Sequence, residues 1–333
     1  GGLPGPSTNV HGDNAPETSL IVRYDQASGE WRDQLDRNWS NGIRFNLPDY
    51  DVFAIDAGTL NETASFSGVG TTLFNMAINP VNGDVYVSNT ESINDVRFEG
   101  PGAFGGSTVQ GNLAQSRVSV LTSTGIVKRH LNSHIDYSVT PAPAGVKDHS
   151  LATPTSMVIS ADGSTLYLAA FGSAKIGVMD TADLIDGTFD PTAASANYIS
   201  VPGGGPSGVV LDEARNRLYV TTRFDNAVVA VDLNDNSILA KRSLHTPEPA
   251  SVIDGRPFLY DAVLTSSNGE AACASCHIFG DMDGLSWDLG NPDEEVIDSP
   301  LPVNLQAIVE FANQASPTIN AVSYTHLRAH ETT

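Results

Sequence analysis

Apolar and polar residues alternate in short runs along the first 250 residues, and the runs recur in a fixed order. Each copy has an apolar strand, a tight turn, a strand centred on a tyrosine, a loop, and an apolar strand closed by aspartate. The first copy is Met76-Ala77-Ile78, Asn82-Gly83, then Val85-Tyr86-Val87-Ser88-Asn89. The second is Met157-Val158-Ile159, Asp162-Gly163, Leu166-Tyr167-Leu168 and Ile176-Gly177-Val178-Met179-Asp180. The third is Val209-Val210-Leu211-Asp212, Leu218-Tyr219-Val220-Thr221-Thr222 and Val228-Val229-Ala230-Val231-Asp232. Tyrosine and aspartate are 13 residues apart in both later copies, and Tyr167 and Tyr219 are 52 apart. Asn-Gly and Asp-Gly between alternating strands are hairpin signals. Partial copies stand at residues 19–25 and 51–56, and the Gly-, Pro- and Asn-rich stretch 91–117 reads as an inserted loop.

A single hairpin cannot bury its own apolar face, so repeated strand units must stack on one another. The pattern predicts a mainly β chain, a β-propeller of repeated four-stranded blades, with about five blades where propellers hold roughly four to eight. Tyr86-Val87-Ser88-Asn89 and Tyr219-Val220-Thr221-Thr222 resemble the YVTN-type propeller repeat. A β-sandwich is the alternative, with less strict repetition expected. No long helical periodicity interrupts these residues.

The 333 residues are ample for two domains. The expected division is a propeller over 1–250, the first part of a partial α-helical domain over 251–321, and a non-native tail over 322–333. The tail resembles a translated sequencing adaptor, so His326 and His330 are left out of any metal argument. The chain opens Gly1-Gly2-Leu3 without Met or signal peptide, and a processed form or a piece of a longer chain is expected. With 17 Lys and Arg against 39 Asp and Glu, the net charge of −22 argues against nucleic acid or an anionic membrane as partner. No apolar run approaches the roughly 18 residues of a membrane span.

The 2 cysteines exclude a disulfide framework. They form Cys273-Ala274-Ser275-Cys276-His277, the C-x-x-C-H motif of c-type haem attachment. On one helical turn both thiols face the two porphyrin vinyl groups, and the next residue offers its imidazole to the iron. Cys273 and Cys276 are therefore the expected covalent anchors of haem c and His277 the proximal ligand of the iron. A structural zinc site would need four ligands, and no second cysteine pair exists. A thioredoxin-like redox pair would need a βαβ context, which is missing. Ser267-Asn268-Gly269-Glu270 has the S-x-x-E form of a capping box, which predicts a helix starting there.

Gly255-Arg256, Phe258-Leu259-Tyr260-Asp261, Leu264-Thr265 and the haem motif, followed by Asp283-Gly284-Leu285, resemble the approach to the first haem of di-haem cytochrome c peroxidases. The resemblance covers residues 255–290. The whole chain looks like bacterial fusions of a YVTN-type propeller to such a cytochrome domain. It implies one-electron transfer, or alternatively peroxidase-like catalysis, with the haem attached in the periplasm or outside the cell. Only one haem motif is present up to residue 321. After His277 that stretch has no further His, and its only Met is Met282, which is too near to reach the opposite haem face. A third reading makes the propeller a docking module with an accessory haem.

Other candidates weigh less. His130, His134 and His149 with Asp136 and Asp148 could form a metal site, though surface histidines are commoner. Asp281, Asp283, Asp288 and Asp293 could hold calcium, but they do not follow the EF-hand spacing. Trp287 could relay an electron or pack on a porphyrin, and Phe171, Arg223 and Phe224 could line a face or simply pack. Residues 251–321 carry eleven acidic side chains against Arg256 alone, a net of −10. Such a field would steer a basic redox partner protein such as a small cytochrome.

Overall fold

The computed structural model describes residues 21–25, 27–33, 36–43, 50–96, 112–139, 141–281 and 285. The chain divides into two compact units. One comprises Asp49–Ser92 and Ala114–Ser275, and the other Gly1–Pro48, Ile93–Leu113 and Cys276–Thr333. Trp287, Met282, Asp283, Asp288, Asp293 and the expected tail 322–333 lie outside the described residues.

In the second of these units, β1 (Arg23–Asp25) and β2 (Glu30–Arg32) form a short antiparallel hairpin. Just beyond it the buried carboxylate of Asp33 takes the Arg37 guanidinium and the Trp39 indole N–H, the latter at 2.9 Å.

The larger unit is built from antiparallel meanders. β3 (Val52–Ile55) pairs with β4 (Glu62–Phe66). Three four-stranded sheets follow, each in plain sequential order. The first is β5 (Thr72–Ile78), β6 (Val85–Val96), β7 (Asn112–Thr122) and β8 (Gly125–His130). The second is β9 (Pro154–Ile159), β10 (Thr165–Ala170), β11 (Lys175–Asp180) and β12 (Ile199–Ser200). The third is β13 (Pro206–Asp212), β14 (Arg217–Thr222), β15 (Ala227–Asp232) and β16 (Ile238–Ser243). Between β11 and β12 run the short helices α1 (Thr181–Asp186) and α2 (Pro191–Ala194), capped by Asp180 and Asp190. The expected inserted loop is shorter than the sequence reading made it. β6 runs on to Val96 and β7 already begins at Asn112, because strand pairing continues through polar residues that the composition reads as loop.

Period-two alternation decides which core each side chain enters. On β10, Leu166, Leu168 and Ala170 face a core shared with Tyr86, Val118, Val120 and Met157. Their neighbours Tyr167 and Ala169 face the opposite core, with Val209, Leu218, Val220 and Val229. A third cluster, Val52, Val69, Val87 and Leu121, joins β3 and β4 to the first sheet. Full burial of each Leu or Val contributes about 1.5–3 kcal/mol.

The sheets meet along their first strands: β5 packs beside β9, and β9 beside β13. Polar bonds also tie the sheets together. Ser88 Oγ donates to the Thr155 carbonyl at 2.6 Å, and Thr155 Oγ1 to the Pro206 carbonyl at 3.3 Å. The hairpin glycines behave as their turns require. Gly163 has φ +75°, and its carbonyl accepts the buried Asn79 amide at 2.9 Å. The third hairpin uses Asn216 in the left-handed region instead, with φ +51°.

Candidate functional site

Downstream of β16, α3 (Ala250–Tyr260) and α4 (Ala262–Thr265) lead to the cysteine motif and belong to the same compact unit as the sheets. α3 is fastened at Arg256, which is almost fully buried. Its Nη1 donates to the carbonyls of Arg223 at 3.3 Å and Phe224 at 3.2 Å, and its Nη2 pairs with Glu248. Hydrogen bonds from Arg256, then Arg223, hold the Glu248 carboxyl down at about 2. Tyr260 closes an aromatic group with Phe171 and Phe224, with ring centroids 5.3 and 6.2 Å away. Phe171 and Phe224 thus pack, and Arg223 reaches Glu248 at 3.4 Å. Asp261 caps α4, accepting the N–H groups of Val263 and Leu264.

The helix expected at Ser267–Glu270 is not there. These four residues are bends, and Glu270 does not return to cap its own turn. Its carboxylate is buried among β7, β8 and the loop after them. Oε1 lies 2.6 Å from His130 Nε2, and it accepts the Asn132 amide at 3.0 Å and the Ser116 backbone N–H at 3.1 Å. Oε2 accepts the hydroxyl of Tyr137. Four partners from elsewhere in the chain outcompete a local cap. Burial pushes the Glu270 carboxyl upward, but the charge and hydrogen bond of His130, with the bonds from Tyr137 and Asn132, hold it below the usual carboxylate range. Burial, and next the negative charge of Glu270, push the Tyr137 phenol well above its ordinary value. No local sequence signal marks this cluster. The only hint is a lone glutamate three residues before Cys273.

The segment between Glu270 and the motif is equally fixed. Ser150 Oγ donates to the Asn268 carbonyl at 2.6 Å, and Ala272 packs with Ala152 and Ala262. Cys273–Ser275 is one turn of 3-10 helix, closed by the Ser275 N–H to the Ala272 carbonyl at 2.9 Å. Ala274 and Ser275 are buried, Cys273 is exposed, and Cys276 and His277 are half-buried. Both cysteines are thiols rather than halves of a disulfide. The turn thus sends its small residues inward and its first thiol outward, with Cys276 just beyond its end. His277 precedes a second short turn, Ile278–Gly280, whose Gly280 N–H bonds the His277 carbonyl at 3.1 Å.

The three upstream histidines go to separate partners. His130 joins Glu270, whereas His134 and His149 lie edge to face at 5.7 Å. His134 Nε2 is 3.0 Å from the Val146 carbonyl, and burial lowers its pKa. His149 Nδ1 is 2.6 Å from Ser195 Oγ. Asp136 takes Ser138, and the Asp148 carbonyl accepts Lys175 Nζ at 2.6 Å. Among the described residues no three His, Cys, Asp or Glu side chains converge as metal ligands. Likewise, no described helix is long and apolar enough to cross a membrane.

The chain matches no protein-family model and no curated protein. Among solved structures it is similar to hydrazine synthase of Kuenenia stuttgartiensis, at 15% identity and a TM-score of 0.39. That match covers 54% of this chain and 50% of the other, so the chain spans about half the length of that protein.

Proposed function

We propose that the chain is a β-propeller protein carrying a covalent c-type haem on Cys273 and Cys276, with His277 as proximal ligand, and that it transfers single electrons outside the cytoplasm. The observation that carries this reading is the C-x-x-C-H spacing, with Cys273 exposed at the start of a short turn that buries Ala274 and Ser275 and with Cys276 and His277 just beyond it. The propeller is supported by three sequential four-stranded meanders whose first strands lie side by side. When bound, the haem supplies an iron that cycles between two oxidation states.

The chain's own residues do the rest. The two thiols anchor the group, and the His277 imidazole binds the iron. Arg256 and Glu270 hold the approach to the motif against the sheets, and Asp261 caps the short helix between them. The acidic excess of residues 251–321 attracts a basic redox partner, and its association rate falls as salt rises.

The test is expression in a bacterium equipped for c-type haem attachment, followed by a denaturing gel stained for haem and a pyridine haemochrome spectrum. The expected product keeps haem through denaturation, and Cys273→Ser with Cys276→Ser loses it. A folded, exported chain without retained haem overturns the reading.

A further inference from the structure

The buried cluster around Glu270 contains a phenol for which haem attachment has no use. We propose that Tyr137 is a redox-active tyrosine, losing one electron to a one-electron oxidant while its phenolic proton passes to Glu270.

Three groups make the arrangement. The Tyr137 hydroxyl donates to Glu270 Oε2, while Oε1 of the same carboxylate lies 2.6 Å from His130 Nε2. The Tyr137 hydroxyl itself lies 3.3 Å from His130 Nε2, and the two rings stack with centroids 6.3 Å apart and planes 17° apart. Asn132 and the Ser116 N–H complete the carboxylate's shell. Arg117, opposite His130 in the β7–β8 register and 3.2 Å from Glu91, is the nearby fixed cation.

Acid–base ionisation of this phenol is disfavoured, because it would place a second anion beside a buried carboxylate. Oxidation is different. A phenol that has lost an electron is a strong acid, so the electron leaves readily only where a base already holds the proton. Here the O–H bond of Tyr137 breaks and an O–H bond to Glu270 Oε2 forms. The electron reduces the oxidant by one unit. The site ends as a neutral tyrosyl radical beside a neutral carboxylic acid, and no new charge is buried. His130 and Asn132 keep the carboxylate in place before and after the transfer.

The oxidant can be an oxidised haem iron or a soluble metal complex, so the proposal does not rest on haem attachment. The test uses the full chain, with and without haem, oxidised by hexachloroiridate(IV), freeze-quenched and read by electron paramagnetic resonance. A neutral tyrosyl signal is expected that is lost in Tyr137→Phe and kept in Tyr24→Phe and Tyr50→Phe. Glu270→Gln, which keeps the phenol but removes the proton acceptor, lowers the yield. Should these variants loosen the fold, fluorotyrosine placed at position 137 retains the phenol and changes the hyperfine pattern. No tyrosyl signal in the unmodified chain, a signal surviving Tyr137→Phe, or a pattern unmoved by fluorotyrosine overturns the proposal. Failure of the haem reading shows separately, as a missing haemochrome in the same samples.

Discussion

Glu270 Oε1 sits 2.6 Å from Nε2 of His130 across 140 residues of chain, and with the Ser116 N–H bond to the same oxygen it fastens the segment before the cysteines to the first sheet. Removing the carboxylate leaves His130, Asn132, Tyr137 and the Ser116 N–H without their shared acceptor. Breaking a buried, hydrogen-bonded pair from one side costs about 3–5 kcal/mol. Glu270→Ala is expected to lose that much in urea unfolding, and Glu270→Gln clearly less, since an amide still accepts one or two of the bonds. Equal losses in the two variants would show that the carboxylate shell contributes little.

The meanders were legible because their information is local. Two-residue alternation marks the strands, and Asn82-Gly83 and Asp162-Gly163 mark the turns. Each signal lies within a few residues of the structure it specifies. Glu270 departs from its local pattern for the complementary reason. Ser267 and Glu270 satisfy a local capping pattern, yet the partners that win the carboxylate come from residues 116–137, and no local window contains them. β6 runs past its expected end on the same grounds. Glu91 and Ser92 look like loop residues but are buried in the sheet, continuing the strand past Asn89, whose Nδ2 donates to Ser119 Oγ at 3.0 Å. The role of Arg256 has no local signal either, since its acceptors are the backbone carbonyls of Arg223 and Phe224 on a distant turn.

Acid should loosen α3 through Glu248. Its carboxyl is held at about 2 in the folded chain, against an ordinary 4.5, first by Arg256 and next by Arg223. A depressed carboxylate contributes stability that is full above its unfolded value and is lost as pH falls. The contribution therefore declines between pH 4.5 and about 2. Glu248→Gln is expected to melt below the unmodified chain at neutral pH, and the gap should close across that window. A gap that stays constant with pH would mean that the ion pair does not hold the helix.

Gly163 joins two sheets through its backbone. It has φ +75°, and a Cβ there would stand 2.5 Å from Asn79 Oδ1, the side chain whose amide bonds the Gly163 carbonyl. A left-handed conformation costs a non-glycine residue roughly 1–2 kcal/mol. Displacing Asn79 adds the loss of a buried hydrogen bond, about 0.5–1.5 kcal/mol. Gly163→Ala should therefore destabilise by more than the turn cost alone. The same substitution in an Asn79→Ala background should cost less, because the clash and the bond are already gone. Strictly additive losses in that double-mutant cycle would break the link between the two sheets.

The alternation on β10 makes a last, sharper test of how the sheets share their cores. Leu168 is fully buried and faces the cluster containing Tyr86, Val118 and Met157, so truncating it leaves a cavity between the first and second sheets. Leu168→Ala should cost about 2–5 kcal/mol. Val210, on β13, is 63% exposed, and Val210→Ala should change stability by no more than about 0.5 kcal/mol. Both are read from urea midpoints at unchanged slope. If the sheets stack as a cooperative series, Leu168→Ala also lowers the unfolding midpoint seen at Tyr219 of the third sheet, because the loss at one interface is felt by its neighbour. A third sheet that unfolds at its original midpoint would make the meanders independent units rather than blades of one stack.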